Sequence, residues 1–160
     1  MTWVWFASTS GNSDDMVMFS KNAGSFPHYD CYIEDADGTV HCRLELDGSN
    51  RYDWKTNNAT DYKDSTYHQY AWVTNRGADQ PILYIDGISI PMVDFSSAGS
   101  ITVGDISNGA DLFIGRQDVG GTELSFNGSM ANFMVFQEEL SVGEINALSG
   151  IMKQPWEYIP

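Results

Sequence analysis

Arg51-Tyr52-Asp53-Trp54-Lys55-Thr56-Asn57-Asn58, read as a loop, gathers the side-chain types that hold sugars. Apolar sugar faces stack on aromatic rings, while carboxylates and amides take up the surrounding hydroxyl groups. Tyr52 and Trp54 are separated by one residue, so in an extended segment they point the same way, with Asp53 and Asn57 as the polar partners. The competing role for the two rings is packing at a sheet edge. Ser25-Phe26-Pro27-His28-Tyr29 is a second mixture of this kind, with the same two readings.

Other chemistry has thinner support. No serine sits in a nucleophile-elbow context, and the three histidines, His28, His41 and His68, are scattered along the chain. His68 lies in an apolar run and reads as a hydrogen-bonded core histidine, whereas His28 follows Pro27 in a loop with no evident partner. Asp35-Ala36-Asp37-Gly38 shares a fragment with the EF-hand calcium loop, but residue 33 is Ile where an acid is needed. Those acids read as turn stabilisers. Asp14-Asp15 and Asp105 with Asp111 are loop acids at which calcium would collect if the fold brought them together. No other cofactor is implied.

The two cysteines flank the Asp35–Gly38 turn. A symmetric hairpin pairs Ile33 with Val40 and Cys31 with Cys42, and alternation puts Cys31, Ile33, Val40, Cys42 and Leu44 on one buried face. The pair is then either two reduced core thiols or a cross-strand disulfide. Strand-like runs at Thr2–Ala7, Met16–Ser20, Tyr29–Glu34, Thr39–Leu46, Tyr67–Asn75, Ile82–Asp86, Leu112–Arg116 and Met130–Phe136 alternate with Gly, Ser, Asn and Asp clusters. Many short strands at this spacing predict an all-β sandwich. Met130–Phe136 is apolar on both faces, as for a strand buried between layers. Asp86-Gly87 marks a tight hairpin and Asn108-Gly109 reads similarly. Ser141-Val142-Gly143-Glu144 is a capping box that predicts one helix of about two turns, closed by Gly150 and packed on the sandwich through Ile145 and Leu148.

At 160 residues the chain allows one domain, and its hydrophobic content of 42% excludes disorder. A net charge of −14 repels phosphate backbones and anionic headgroups, which excludes nucleic acid and membrane surfaces as partners and leaves neutral glycans and proteins. No signal peptide or membrane-spanning run is recognisable.

Four segments in order resemble the LamG-like, concanavalin A-like lectin/glucanase jelly-roll family. They are Tyr67-His68-Gln69-Tyr70-Ala71-Trp72, Leu83-Tyr84-Ile85-Asp86-Gly87, Leu112-Phe113-Ile114-Gly115-Arg116, and the closing Phe126-Asn127-Gly128-Ser129-Met130 with Val135-Phe136, Leu140-Ser141 and Glu144-Ile145. The resemblance implies a two-sheet antiparallel jelly roll of roughly a dozen strands over residues 1–150, with residues 151–160 as a tail packing on the domain or a partner. Glucanases of this superfamily carry Glu-x-Asp-x-x-Glu on one strand; here the nearest match is Glu45-Leu46-Asp47-Gly48-Ser49-Asn50, and Asn50 cannot shuttle a proton. The chain is therefore expected to be non-catalytic. Members often bind a structural calcium after the Phe-x-Gly-x-Ile turn, where this chain has Ala131 and Asn132. Members usually begin one strand earlier, so either a gap should lie beside Thr2–Ala7 or another chain or element should fill it.

The ending Pro155-Trp156-Glu157-Tyr158-Ile159-Pro160 resembles that of phage-encoded members. Together these features predict a virion surface protein, as capsid decoration, fibre or adhesin component. It would contact neighbouring capsid or tail proteins, or copies of itself, and neutral glycans. The alternatives are a free carbohydrate-binding module or lectin, and an extracellular or cell-surface adhesion domain of a bacterium.

Overall fold

The computed structural model describes residues 1–9, 15–22, 27–47, 50–57, 60–74, 80–95, 108–119 and 122–153. Alternation of apolar and polar residues, broken by turn-forming pairs, divides them into strands β1 (Thr2–Thr9), β2 (Met16–Lys21), β3 (His28–Ile33), β4 (Val40–Asp47), β5 (Asn50–Thr56), β6 (His68–Val73), β7 (Ile82–Ile85), β8 (Ile88–Ile90), β9 (Met92–Asp94), β10 (Phe113–Ile114), β11 (Arg116–Val119), β12 (Thr122–Ser125) and β13 (Gly128–Phe136), followed by helix α1 (Val142–Lys153). All pairings are antiparallel. A five-stranded sheet in the order β13-β1-β6-β7-β8 faces a six-stranded sheet in the order β10-β2-β3-β4-β5-β9, and β11 and β12 form a separate hairpin. This is the all-β two-sheet sandwich with a single short C-terminal helix.

Aromatic pairs fill the space between the sheets. Trp3 lies opposite Trp72 and Trp5 opposite Tyr70 across β1 and β6. Their rings stack at 4.6 Å and 5.5 Å, and Phe19 of β2 packs edge-on to Trp5 from the other sheet. The outward side of the five-stranded sheet is also apolar. There Val4, Ala71 and Val73 pack under Leu140 and Ile145, so helix α1 makes a third layer. Buried Gln69 fastens it by donating from Nε2 to the Ile145 carbonyl at 3.0 Å and accepting from Ser149 Oγ.

Turn chemistry fixes two junctions. Asp86 (φ 53°) and Gly87 (φ 76°) form the tight β7–β8 turn, whose left-handed backbone demands such residues. At Gly128 a Cβ would lie 2.0 Å from the Ser8 carbonyl oxygen, so only glycine lets β13 approach β1 there.

Several expectations are corrected. Arg51–Thr56, read as a binding loop, is most of β5. β13 stands at a sheet edge and is apolar on both sides because Met130 and Phe133 face the core while Met134 and Phe136 face the helix cluster. Of the two outcomes expected beside β1, the gap is absent: β13 lies on one side and β6 on the other. Gly109 forms a bend, and among the described residues no strands pair across Asn108-Gly109. The capping box forms, with Ser141 Oγ and backbone N both donating to Glu144, but the helix runs through Gly150 to Lys153. Residues 154–160, including Pro155 and Trp156, lie outside the described residues.

Candidate functional site

The outward side of the six-stranded sheet has the opposite character. Strand register places three rows of three side chains across β3, β4 and β5: Tyr32–His41–Lys55, Asp30–Arg43–Asp53 and His28–Glu45–Arg51. Each is a polar or ionisable residue, because these are the positions that alternate with the core residues Cys31, Cys42, Leu44 and Tyr52. The rows are wired together. Arg43 donates to both carboxylate oxygens of Asp30, with its Nε at 2.9 Å from Oδ1. Arg51 donates to Asp53 Oδ2, His41 Nδ1 lies 3.1 Å from Asp53 Oδ1, and His41 Nε2 lies 3.0 Å from Glu34. His28 Nε2 sits 3.1 Å from Glu45.

Two further elements border this floor. Phe95, just beyond β9, is 52% exposed and held by its N–H to the Asp53 carbonyl. Lys55 Nζ lies 4.5 Å from its ring centroid and the His41 ring meets it edge-on. Opposite, the β11–β12 hairpin packs along β2, and Gln117 Nε2 reaches Asp30 Oδ2 at 3.2 Å. Asp30 and Asp53 are almost wholly buried at 1% and 0% exposure, a position that carboxylates tolerate only when paired. Burial alone would lift the Asp53 carboxyl, but the His41 hydrogen bond and the Arg51 charge outweigh it and hold it below its usual range. Burial pushes the Tyr32 phenol up, helped by the Asp53 charge, so it stays a neutral donor or acceptor. Burial works against the charged form of Arg43, and Asp30 more than restores it.

The expected sugar-binding residues separate across the strand. Tyr52 and Trp54 do share a face, but it is the core face: Tyr52 is 3% exposed and Trp54 packs against the core, its ring 6.0 Å from that of Tyr52. They cannot offer an open stacking platform together. Asp53 points outward into the ion-pair rows, and Asn57 is exposed just past the strand, its N–H bonded to the Pro91 carbonyl. Phe26 of the second candidate pair is outside the described residues, while Tyr29 packs against the core and His28, thought to lack a partner, opens β3 beside Glu45. Sequence reasoning passed over Tyr32, Arg43 and Phe95. For the first two the signal was available, since the hairpin register that pairs Cys31 with Cys42 also pairs Asp30 with Arg43.

The remaining candidates are structural in their contacts. His68 is hydrogen-bonded to turn carboxylates, Asp86 at 2.6 Å and Asp64 at 3.1 Å, in place of core groups. Asp37 takes the N–H and hydroxyl of Thr39, and Asp15 takes the Asp35 N–H. Among the described residues no group of three or more His, Cys, Asp or Glu could hold a metal ion, and Asp14 and Asp105 lie outside them. Ala131 and Asn132 do not fit the calcium site that the resemblance implies: they bring no carboxylate, and Asn132 (φ 55°) instead serves a β-bulge opposite β1. Cys31 and Cys42 are free thiols with sulfurs 3.7 Å apart.

This fold has relatives among solved structures. The CBM40 of the Ruminococcus gnavus IT-sialidase matches with a TM-score of 0.70 and 22% identity, covering 93% of this chain and 82% of that chain. The same module has been solved bound to alpha2,3 sialyllactose. A leech intramolecular trans-sialidase matches with a TM-score of 0.70 and 18% identity over 94% of this chain and 23% of that one. Domains LG4-5 of the mouse laminin alpha1 chain match at 0.56 and 16% identity, over 88% of this chain and 36% of that one. No curated protein sequence matches the chain. Against the glucanase pattern Glu-x-Asp-x-x-Glu, this chain keeps Glu45-x-Asp47 and has Asn50 in place of the second glutamate. A family model matching residues 2–146 completes the assignment: the chain belongs to the concanavalin A-like lectin/glucanases superfamily.

Proposed function

We propose that the domain is a glycan-binding module whose ligand lies on the outward side of the six-stranded sheet, over Tyr32, Arg43, Arg51, Asp53 and Lys55, with Phe95 as the exposed stacking ring. The observation that carries this reading is the concentration of paired, mostly buried charges on that one face. Buried ion pairs seldom improve stability over apolar residues of the same size, so three rows of them are poorly explained by folding alone. Hydroxyl-rich ligands need such a dense array of fixed donors and acceptors beside an aromatic ring. Among the described residues the Arg51 Nε–H has no hydrogen-bond partner, which leaves a donor for a ligand oxygen.

The rows carry three cationic and three carboxylate side chains, so they suit neutral sugars and sugars with one carboxylate, despite the −14 of the whole chain. The sialyllactose complex of the similar CBM40 makes that trisaccharide the first probe. An extracellular or cell-surface setting goes with this reading. The virion-surface reading rests in part on the ending at residues 155–160, which lies outside the described residues.

The test is calorimetric titration of the protein with sialyllactose and lactose, alongside a wider glycan array. Saturable binding that Phe95→Ala and Arg51→Gln each weaken by tenfold or more supports the proposal. Binding by neither sugar nor any array glycan, or binding unchanged in both variants, overturns it.

A further inference from the structure

We propose that Cys31 and Cys42 form a redox modification site, closing to an intramolecular disulfide between β3 and β4 when the chain folds in the presence of a small-molecule disulfide. The proposal does not depend on the glycan reading. The two residues are direct cross-strand partners and their sulfurs are 3.7 Å apart. The type of pairing also suits a bridge. Glu34 N–H donates to the Thr39 carbonyl, which makes that pair a hydrogen-bonded one, so alternation makes Tyr32–His41 hydrogen-bonded and Cys31–Cys42 non-hydrogen-bonded. Non-hydrogen-bonded pairs have Cα atoms about 4.5 Å apart, the closest approach in an antiparallel ladder. That falls inside the range of about 4.4–6.8 Å that disulfides span without moving the backbone.

Both thiols are fully buried in the core, and burial pushes the Cys31 thiol up, away from the thiolate that exchange requires. Closure therefore belongs to the hairpin before the second sheet covers it, or to its later opening. The step balances with oxidised glutathione. One cysteine thiolate attacks the glutathione disulfide, forming a mixed disulfide and releasing one glutathione thiolate. The second cysteine thiolate then attacks the protein sulfur of that mixed disulfide and expels the second glutathione. Two protein thiols lose their protons and two electrons pass to glutathione. The resulting bond lies on the core side of the sheet, between the Asp30–Arg43 and Tyr32–His41 rows, and ties the two strands that carry them.

To test this, the full chain is unfolded in reductant and refolded either with a glutathione redox pair or with dithiothreitol. Each sample is then denatured, treated with iodoacetamide and weighed intact. The glutathione sample should be monomeric, take no alkyl group and weigh two hydrogens less, while the dithiothreitol sample takes two alkyl groups. The oxidised protein should keep the near-ultraviolet circular dichroism of the reduced one, and Cys42→Val, which keeps the core filled, should retain one alkylatable thiol. Two alkylated cysteines after glutathione refolding, a persistent glutathione adduct, covalent dimers, or loss of the native dichroism would each overturn the proposal.

Discussion

The two outer faces of this sandwich follow the same alternation and end in opposite states. On the five-stranded sheet, the outward residues Val4, Ala71 and Val73 are apolar and lie beneath helix α1 with Ile145 and Leu140. On the six-stranded sheet, the outward residues Asp30, Arg43 and Asp53 are charged, with Arg43 paired to Asp30 and Asp53 to Arg51 and His41, and are bordered by Phe95 and Gln117. One face has become a second core, held by contacts that do not depend on direction. The other remains polar and is held by directional pairs, each of which removes a charge from water only because its partner is in place. The lesson is that burial alone does not distinguish structure from function here, since Val4 and Asp53 are both at 0% exposure. What distinguishes them is whether the buried group could have been replaced by an apolar one.

That contrast can be broken by mutation. Arg43→Ala strands the Asp30 carboxylate and should cost about 4 kcal/mol in urea unfolding, the scale for opening a buried pair. If the face is polar for reasons other than stability, the double variant Asp30→Leu with Arg43→Met should recover most of that loss while glycan binding stays absent. Ile145→Ala opens a cavity under the helix and should cost about 3 kcal/mol, leaving glycan affinity unchanged. Phe95→Ala should do the reverse, lowering affinity about tenfold, or about 1.4 kcal/mol, while thermal stability hardly moves.

The smallest effect expected is a pH dependence with two opposite signs. For His28, burial is the leading influence and lowers its folded pKa below 6.5, so stability falls as the pH drops from 6.5 through that lowered value. For His68, burial opposes protonation, but the Asp86 and Asp64 hydrogen bonds outweigh it and raise the folded pKa. Its contribution is therefore fully present below 6.5 and lost as pH rises through the raised value. Melting temperatures from about pH 5 to 8 should lose the acid-side slope in His28→Gln and the alkaline-side slope in His68→Gln. Interchanged slopes would contradict these assignments.

Most of the architecture could be read from residue order, because the hairpin around Asp35–Gly38, the Asp86-Gly87 turn and the Ser141–Glu144 cap are each set by local chemistry. β5 could not be read so easily. Arg51-Tyr52-Asp53-Trp54-Lys55-Thr56 alternates perfectly, yet its aromatics and charges resemble a ligand loop until β4 and β9 are known to flank it. The same ambiguity joined Tyr52 and Trp54 to Asp53 as one site, although a strand must send them to opposite sides. Phe95 was not legible at all. Its place over His41 and Lys55 depends on β9 returning to pair with β5, a contact between segments separated by β6, β7 and β8. Gly150 misled for a different reason: a glycine ends a helix only when the residues beyond it leave the helical path, and here the turn continues to Lys153.

The central claim is that a glycan binds over the polar sheet face, and backbone amide chemical-shift mapping during a sialyllactose titration tests it directly. The largest shifts should fall on Tyr32, His41, Arg43, Asp53, Lys55 and Phe95, with Val4, Ala71, Val73 and Ile145 unmoved. Shifts centred on the helix-covered face, or on the edges of the sandwich away from Phe95, would contradict the assignment of the polar sheet face as the binding surface.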